Sequence, residues 1–301
     1  MTPTDAVRIR GLVKRYGDNL AVDHLDLDIH TGEVFALLGP NGAGKTTTVE
    51  ILEGYRRRDG GEVTVLGEDP ARPTRDWRSD VGIVLQSTEE SAELSVQEIV
   101  HHFARYYPDP RDPDEVIESV GLQEKRTSRT RALSGGQRRR LDVALGIIGR
   151  PRLLFLDEPT TGFDPEARRS FWELIRSLRG EGTTILLTTH YLDEAEQLAD
   201  RVGVITAGKL VALDTPAKLG GRMAHRARVR WADGTGVHEE TSEFPTKVVT
   251  QLAAKYGGEV PGLQVVRPSL EDVYLSLING NTNDGVNGNI NDNHDAGEES
   301  R

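Results

Sequence analysis

VFALLGPNGAGKTT, residues Val34 to Thr47, joins a short apolar run to a glycine-rich stretch with one lysine near its end. The run Val34 to Leu38 has the length and composition of a buried strand. The residues Gly39-Pro40-Asn41-Gly42-Ala43-Gly44-Lys45-Thr46 meet the pattern G-x-x-x-x-G-K-[ST] at every fixed position. Glycines let backbone N–H groups turn inward around phosphate oxygens without a Cβ in the way. A helix starting at Thr46 adds its positive N-terminal end. Lys45 then reaches the β- and γ-phosphates of a nucleotide, and the Thr46 hydroxyl can coordinate Mg²⁺. A strand, a phosphate loop and a helix in that order point to an α/β nucleotide-binding fold.

The chain on either side fits that reading. Leu25, Leu27 and Ile29 alternate with Asp26, Asp28 and His30, the period of a strand with one wet face. Buried-strand runs recur at Val81–Leu85, Leu153–Leu156 and Thr184–Leu187, with helical patterns between them. A mainly parallel sheet covered on both faces is expected. Asp164 can cap a helix that starts at Pro165 and carries Phe171, Leu174, Ile175 and Leu178 as its apolar stripe. Val202–Thr206 and Lys209–Leu213 form a predicted hairpin around Ala207-Gly208.

Two further stretches carry chemistry. Leu153 to Leu156 runs directly into Asp157-Glu158-Pro159, delivering two adjacent carboxylates to the end of a strand, where open α/β sheets bind ligands. Asp157 is placed to hold Mg²⁺, and Glu158 to orient or deprotonate an attacking water. The bland alternative is a solvated strand end. Leu133-Ser134-Gly135-Gly136-Gln137 opens a second helix, predicted over Gln137–Ile148, and so makes a second anion-binding helix start. By itself Ser134 could be a plain helix cap. Arg138, Arg139 and Arg140 read most simply as the solvated beginning of that helix.

With these residues in hand, the sequence resembles the ATP-binding subunits of ABC transporters over about residues 6 to 215. LSGGQ is similar to that family's signature motif, Gln86 in GIVLQ to its Q-loop, and LLFLDEP to Walker B with its catalytic glutamate. Gly162-Phe163-Asp164-Pro165 resembles the D-loop, and His190 in LLTTH the switch histidine. Tyr16 in VKRYG stands where the family keeps an aromatic residue that stacks on adenine. Phe163 departs from the usual leucine.

The resemblance implies Gln86, Glu158 and His190 as catalytic residues, with Gln86 joining Thr46 and Asp157 around Mg²⁺. It implies an ATP site built from Tyr16, Gly39 to Thr47 and Asp164, closed by Ser134, Gly135, Gly136 and Gln137 of a second copy in a head-to-tail homodimer. It also implies separate transmembrane permease subunits, docked near the Q-loop and the helical segment after it. EGY at Glu53–Tyr55 and the C-terminal stretch Arg267 to Tyr274 are similar to the ATPases of daunorubicin-resistance exporters. The implied function is powering export of a drug, antibiotic or similar hydrophobic compound. An importer ATPase, an exporter of polysaccharide or lipid, and a soluble non-transport ATPase of the same family are the alternatives.

Composition sets the remaining bounds. Of 301 residues, 36% are hydrophobic and 28% charged, a globular profile. A net charge of -11 argues against general nucleic-acid binding. No cysteine is present, which removes disulfides and thiol-ligated metals. MTPTDAVRIR lacks an apolar signal core, and no apolar run approaches the roughly 20 residues of a spanning helix. A cytoplasmic protein is the simplest reading of these features, and the resemblance implies that it sits peripherally on the cytoplasmic side of the membrane.

The domain plan expected is an ATPase core over residues 6–219, with an antiparallel β subdomain and a helical subdomain at about 87–150. A small α+β appendage follows over 220–278, and an Asn/Asp/Gly-rich tail, read as disordered, over 279–301.

Overall fold

The computed structural model describes residues 5–84, 93–221 and 227–283. The chain runs β1 (Asp5–Tyr16), β2 (Asn19–His30), β3 (Val34–Leu38), α1 (Lys45–Leu52), β4 (Gly60–Val65), α2 (Arg75–Asp80) and β5 (Val81–Val84). Next come α3 (Val96–Ala104), α4 (Pro113–Ser119), α5 (Gly135–Ile147), β6 (Leu153–Asp157), α6 (Pro165–Gly180), β7 (Thr184–Thr188) and α7 (Leu192–Leu198). It closes with β8 (Arg201–Thr206), β9 (Lys209–Asp214), β10 (Ala227–Asp233), β11 (Gly236–Ser242), α8 (Pro245–Tyr256), β12 (Gln264–Val266) and α9 (Leu270–Asn283).

The central sheet has the order β5-β6-β7-β3-β8-β9. Its pairs are parallel from β5 through β8, and the β8–β9 hairpin adds one antiparallel edge strand. The continuous apolar strands are explained by what lies on each face. Val34, Ala36 and Leu38 of β3 join one core with Leu154, Leu156, Ile185 and Leu187, packed under helices α3 to α6. Phe35 and Leu37 turn to a second core with Leu153, Phe155 and Leu186. That second core is covered by α1 and by the antiparallel sheet β2-β1-β4, which supplies Ile9, Leu12, Leu25, Leu27 and Ile29. Sequential side chains on a strand point to opposite faces, so a strand buried on both sides can be apolar at every position.

Between β5 and β6 the named elements are all helices. Ser95 caps α3 through a capping box with Glu98, and Asp112 caps α4.

The C-terminal region departs from expectation in three ways. β11 pairs with β10 along its whole length from Ala227↔Ser242 to Asp233↔Gly236, completing the sheet β11-β10-β12, and the sequence reading had no strand there. Its residues are nearly all exposed and polar, so no hydrophobic alternation marks it. The last helix runs to Asn283, so residues 279–283, expected to begin a disordered tail, are helical, while residues 284–301 lie outside the described residues.

Third, α9 does not belong to the appendage's own core of Val229, Val248, Leu252 and Val260. Leu270 instead enters the first core, beneath the central sheet, with Tyr274 and Leu277 packed against it, and Val273 beside it is also buried. Gly220, at φ 58°, marks the close approach: a Cβ there would meet Val273 Cγ1 at 2.6 Å. Fully burying an apolar side chain such as Leu270 contributes about 1.5–3 kcal/mol, which ties α9 back onto the first core.

Candidate functional site

β3 feeds the loop from Gly39 and α1 begins at Lys45. Gly44 stands at φ 102°, and a Cβ there would meet the Ala21 carbonyl oxygen at 2.3 Å, so only glycine fits. No side chain caps this helix start. The Thr48 hydroxyl donates to the Gly44 carbonyl at 2.8 Å, behind the loop. Lys45 Nζ donates to the carbonyls of Gly39 at 2.6 Å and Pro40 at 3.1 Å, bridging the loop it belongs to. Burial pushes the Lys45 amine below its ordinary pKa, while Glu158 and Asp157 pull it back up.

The loop opens onto a cleft of about 530 Å³ that brings together Tyr16, Asn41, Lys45, Thr46, Asp157 and Glu158. Tyr16 ends β1 and is 42% exposed, and the Arg56 guanidinium lies 5.4 Å from the ring centre. An exposed aromatic face at the rim suits a purine base. Asn19 and Ala21 also line this cleft, although the sequence reading gave them no role.

β6 delivers the acid pair. The Thr188 hydroxyl donates to Asp157 Oδ1, fixing one oxygen of that carboxylate. Glu158 adopts φ 48°, unusual for a residue with a side chain, and its amide donates to the Thr188 carbonyl at 3.0 Å. That turn aims its carboxylate at His190, whose Nδ1 lies 3.2 Å from Glu158 Oε1. The Thr161 hydroxyl reaches the other oxygen at 3.5 Å. At the far end of α1, burial raises the Glu53 carboxyl to about 8, helped by the negative charge of Asp157 and Glu50.

The second glycine turn is placed elsewhere. α5 starts at Gly135, two residues before its predicted start, and Ser134 caps it: its hydroxyl accepts from the Gln137 amide at 3.3 Å. Gln137 Oε1 accepts the Ser134 amide at 3.0 Å, closing a capping box. This turn lines a separate cleft of about 550 Å³ with Arg139, Glu158, Phe163 and Asp164. The structure therefore sets Asp164 beside the signature turn and not in the phosphate-loop cleft. Asp164 caps α6 by accepting the Ala167 amide at 2.8 Å. Phe163 is buried, edge-on to Phe171 with ring centres 5.9 Å apart. Gln86 lies outside the described residues.

One reading of the sequence is corrected outright. Arg139 is not solvated: it is 6% exposed and donates to the carbonyls of Asp157 and Pro159. Arg140 bonds the Gly121 carbonyl at 3.1 Å, and only Arg138 of the three is exposed. Helical periodicity alone could have flagged Arg139, since it shares a face with Val143 and Gly146.

Among the described residues no group of three or more His, Cys, Asp or Glu could hold a metal ion unaided. Thr46 and Asp157 supply hard oxygen donors in one cleft, the donor set that suits Mg²⁺ when phosphate oxygens complete the shell. No helix among the described residues is long and apolar enough to cross a membrane.

Comparison with known proteins agrees with this geometry. The family profile of the ABC transporter matches residues 22–161. The chain is 39% identical to the daunorubicin resistance ATP-binding protein DrrA3 of Streptomyces coeruleorubidus, over 90% of this chain and 95% of that protein. It is 43% identical to the Nod factor export ATP-binding protein I of Ralstonia nicotianae, over 72% of this chain and 69% of that one. A solved ATP-binding subunit of an ABC transporter superposes with a TM-score of 0.68 over 90% of this chain and 99% of its own, at 20% identity, a likeness of fold.

Proposed function

This chain belongs to the ATP-binding family of ABC transporters and is an ATPase, and we propose that two copies of it hydrolyse ATP in shared sites to power export through a separately encoded permease. The observation that carries the shared-site reading is the separation of the two glycine turns. The phosphate loop and the signature turn line different clefts of one chain, and Glu158 borders both. The phosphate-loop cleft has no signature turn of its own, so its closure calls for Ser134, Gly135, Gly136 and Gln137 of a second molecule, related by a two-fold axis.

Within that site the side chains divide the work. Tyr16 stacks on the base, and the amides from Gly39 to Thr47 hold the phosphates. Lys45 exchanges two loop carbonyls for phosphate oxygens, a stronger charge-assisted pairing. Thr46 and Asp157 would hold Mg²⁺, with Gln86 as the further ligand the family resemblance implies. The ion neutralises charge on the β- and γ-phosphates when bound. Glu158 accepts a proton from water as its oxygen attacks the γ-phosphorus and the bond to ADP breaks. His190 holds the Glu158 carboxylate in line from 3.2 Å. Loss of the γ-phosphate removes the ligand that favours the closed pair, and the pair reopens.

The transported class is a drug or similar hydrophobic compound. The 39% identity with a daunorubicin resistance protein across nine-tenths of the chain supports this assignment. Export of another class is the second reading, because the relative named for Nod factor export is about as similar. The chain itself sits on the cytoplasmic face of the membrane, peripheral to the permease. Co-expression with its permease partner in a daunorubicin-sensitive host tests the substrate. Lower drug accumulation that is lost with Glu158→Gln is expected, whereas unchanged accumulation contradicts drug export.

A further inference from the structure

Three successive arginines at the first turns of a helix are unfavourable neighbours for the positive end of its dipole. Solvent tolerates them, but Arg139 is not in solvent. It is more than nine-tenths buried, where an uncompensated guanidinium is strongly unfavourable. What compensates it is the backbone around the catalytic acid. Its guanidinium donates to the carbonyl of Asp157 on one side of Glu158 and to that of Pro159 on the other. Asp142, Asp157, Glu158 and Glu194 surround it with negative charge, which offsets the burial that pushes its pKa down.

The residue so bracketed is strained. Glu158 holds φ 48°, a left-handed conformation that a residue with a side chain rarely adopts. Such a conformation persists only where the surroundings over-determine it. The Glu158 amide is tied to Thr188 on β7. The two flanking carbonyls are tied to α5, whose first residues form the signature turn. Arg139 is five positions from Ser134 on the same stiff segment.

We infer that Arg139 is a positioning residue for Glu158, linking the signature turn that one molecule lends its partner to the carboxylate serving its own ATP. This rests on the shared-site reading and on the role of Glu158 given above. When the signature turn seats on the partner's nucleotide, any displacement of α5 reaches Glu158 through two hydrogen bonds and no intervening loop.

The test is a double-mutant cycle in the full-length ATPase, read by single-turnover hydrolysis. Arg139→Met should slow turnover about a hundredfold, the scale of a misplaced catalytic group, with KM for ATP within about threefold. Arg139→Lys, able to reach one carbonyl but not fork to both, should fall between. Because Arg139 acts through Glu158, adding Arg139→Met to Glu158→Gln should slow the residual rate little further. Turnover of Arg139→Met within threefold of the parent overturns the inference, and so does the same large factor in both backgrounds. Should Arg139→Met not fold, the same cycle is read with Arg139→Lys. Normal turnover in Glu158→Gln itself would instead remove the reading on which the inference rests.

Discussion

Two glycine-rich turns each open a helix in this protein, and they are finished differently. The turn at Gly39 to Thr47 leaves its helix without a side-chain cap, and its lysine folds back on the loop's own carbonyls. The turn at Ser134 to Gly136 is capped at once by a reciprocal pair, Ser134 with Gln137. Orphan amides at a helix start need a partner, and the first turn leaves them to a ligand while the second satisfies its own. The first is therefore a binding loop in its own right, built around glycine at a position where Ala21 forbids any Cβ. The second is a preformed surface that waits for something to be brought to it.

The largest effect expected is at the residue common to both clefts. Glu158→Gln should bind ATP normally yet hydrolyse it at least about a hundredfold more slowly, measured by nucleotide binding beside single-turnover rates. Near-normal turnover would break the link between the two turns. Next comes Ser134→Asp, which keeps a good helix cap and sets a negative charge where a partner's γ-phosphate should lie. Hydrolysis should fall about thirtyfold from like-charge repulsion of a few kcal/mol, with ATP binding by the isolated subunit unchanged. A drop in that binding as well would place the signature turn inside the first cleft and erase the contrast.

A smaller effect lies at the other end of α1. Glu53, raised to about 8 from 4.5, binds its proton more tightly folded than unfolded. Its folded state is therefore favoured at low pH, and that advantage is lost as pH rises from about 4.5 towards about 8. Glu53→Gln should gain thermal stability over the parent as pH rises, by at least about 2 °C in Tm, in protein free of nucleotide and Mg²⁺. A constant difference across that range would mean Glu53 is already ionised.

The same contrast separates what the sequence disclosed from what it hid. β3, the phosphate loop and α1 were legible because a five-residue apolar strand and fixed-position glycines leave few alternatives. The acid pair and the cap at Asp164 were legible for similar local reasons. β11 was not, because a polar edge strand has no pattern to read. The sequence suggested an α+β appendage but not that its last helix packs Leu270, Tyr274 and Leu277 against the first core. Arg139 was misread because charge suggests solvent, and the two carbonyls that hold it come from a strand end about twenty residues further on. Likewise, LSGGQ gave the signature turn, while its separation from the phosphate-loop cleft is a property of the folded chain alone.

The most direct test mixes two damaged proteins: Lys45→Ala, which cannot hold the phosphates, and Ser134→Asp, which cannot close over a partner's. If each site joins the phosphate loop of one molecule to the signature turn of the other, a mixed pair contains one undamaged site. Hydrolysis should then recover to about a quarter of the parental rate at equal mixing, far above either variant alone. A rate no greater than the sum of the two separate variants would mean that each chain carries its own complete site.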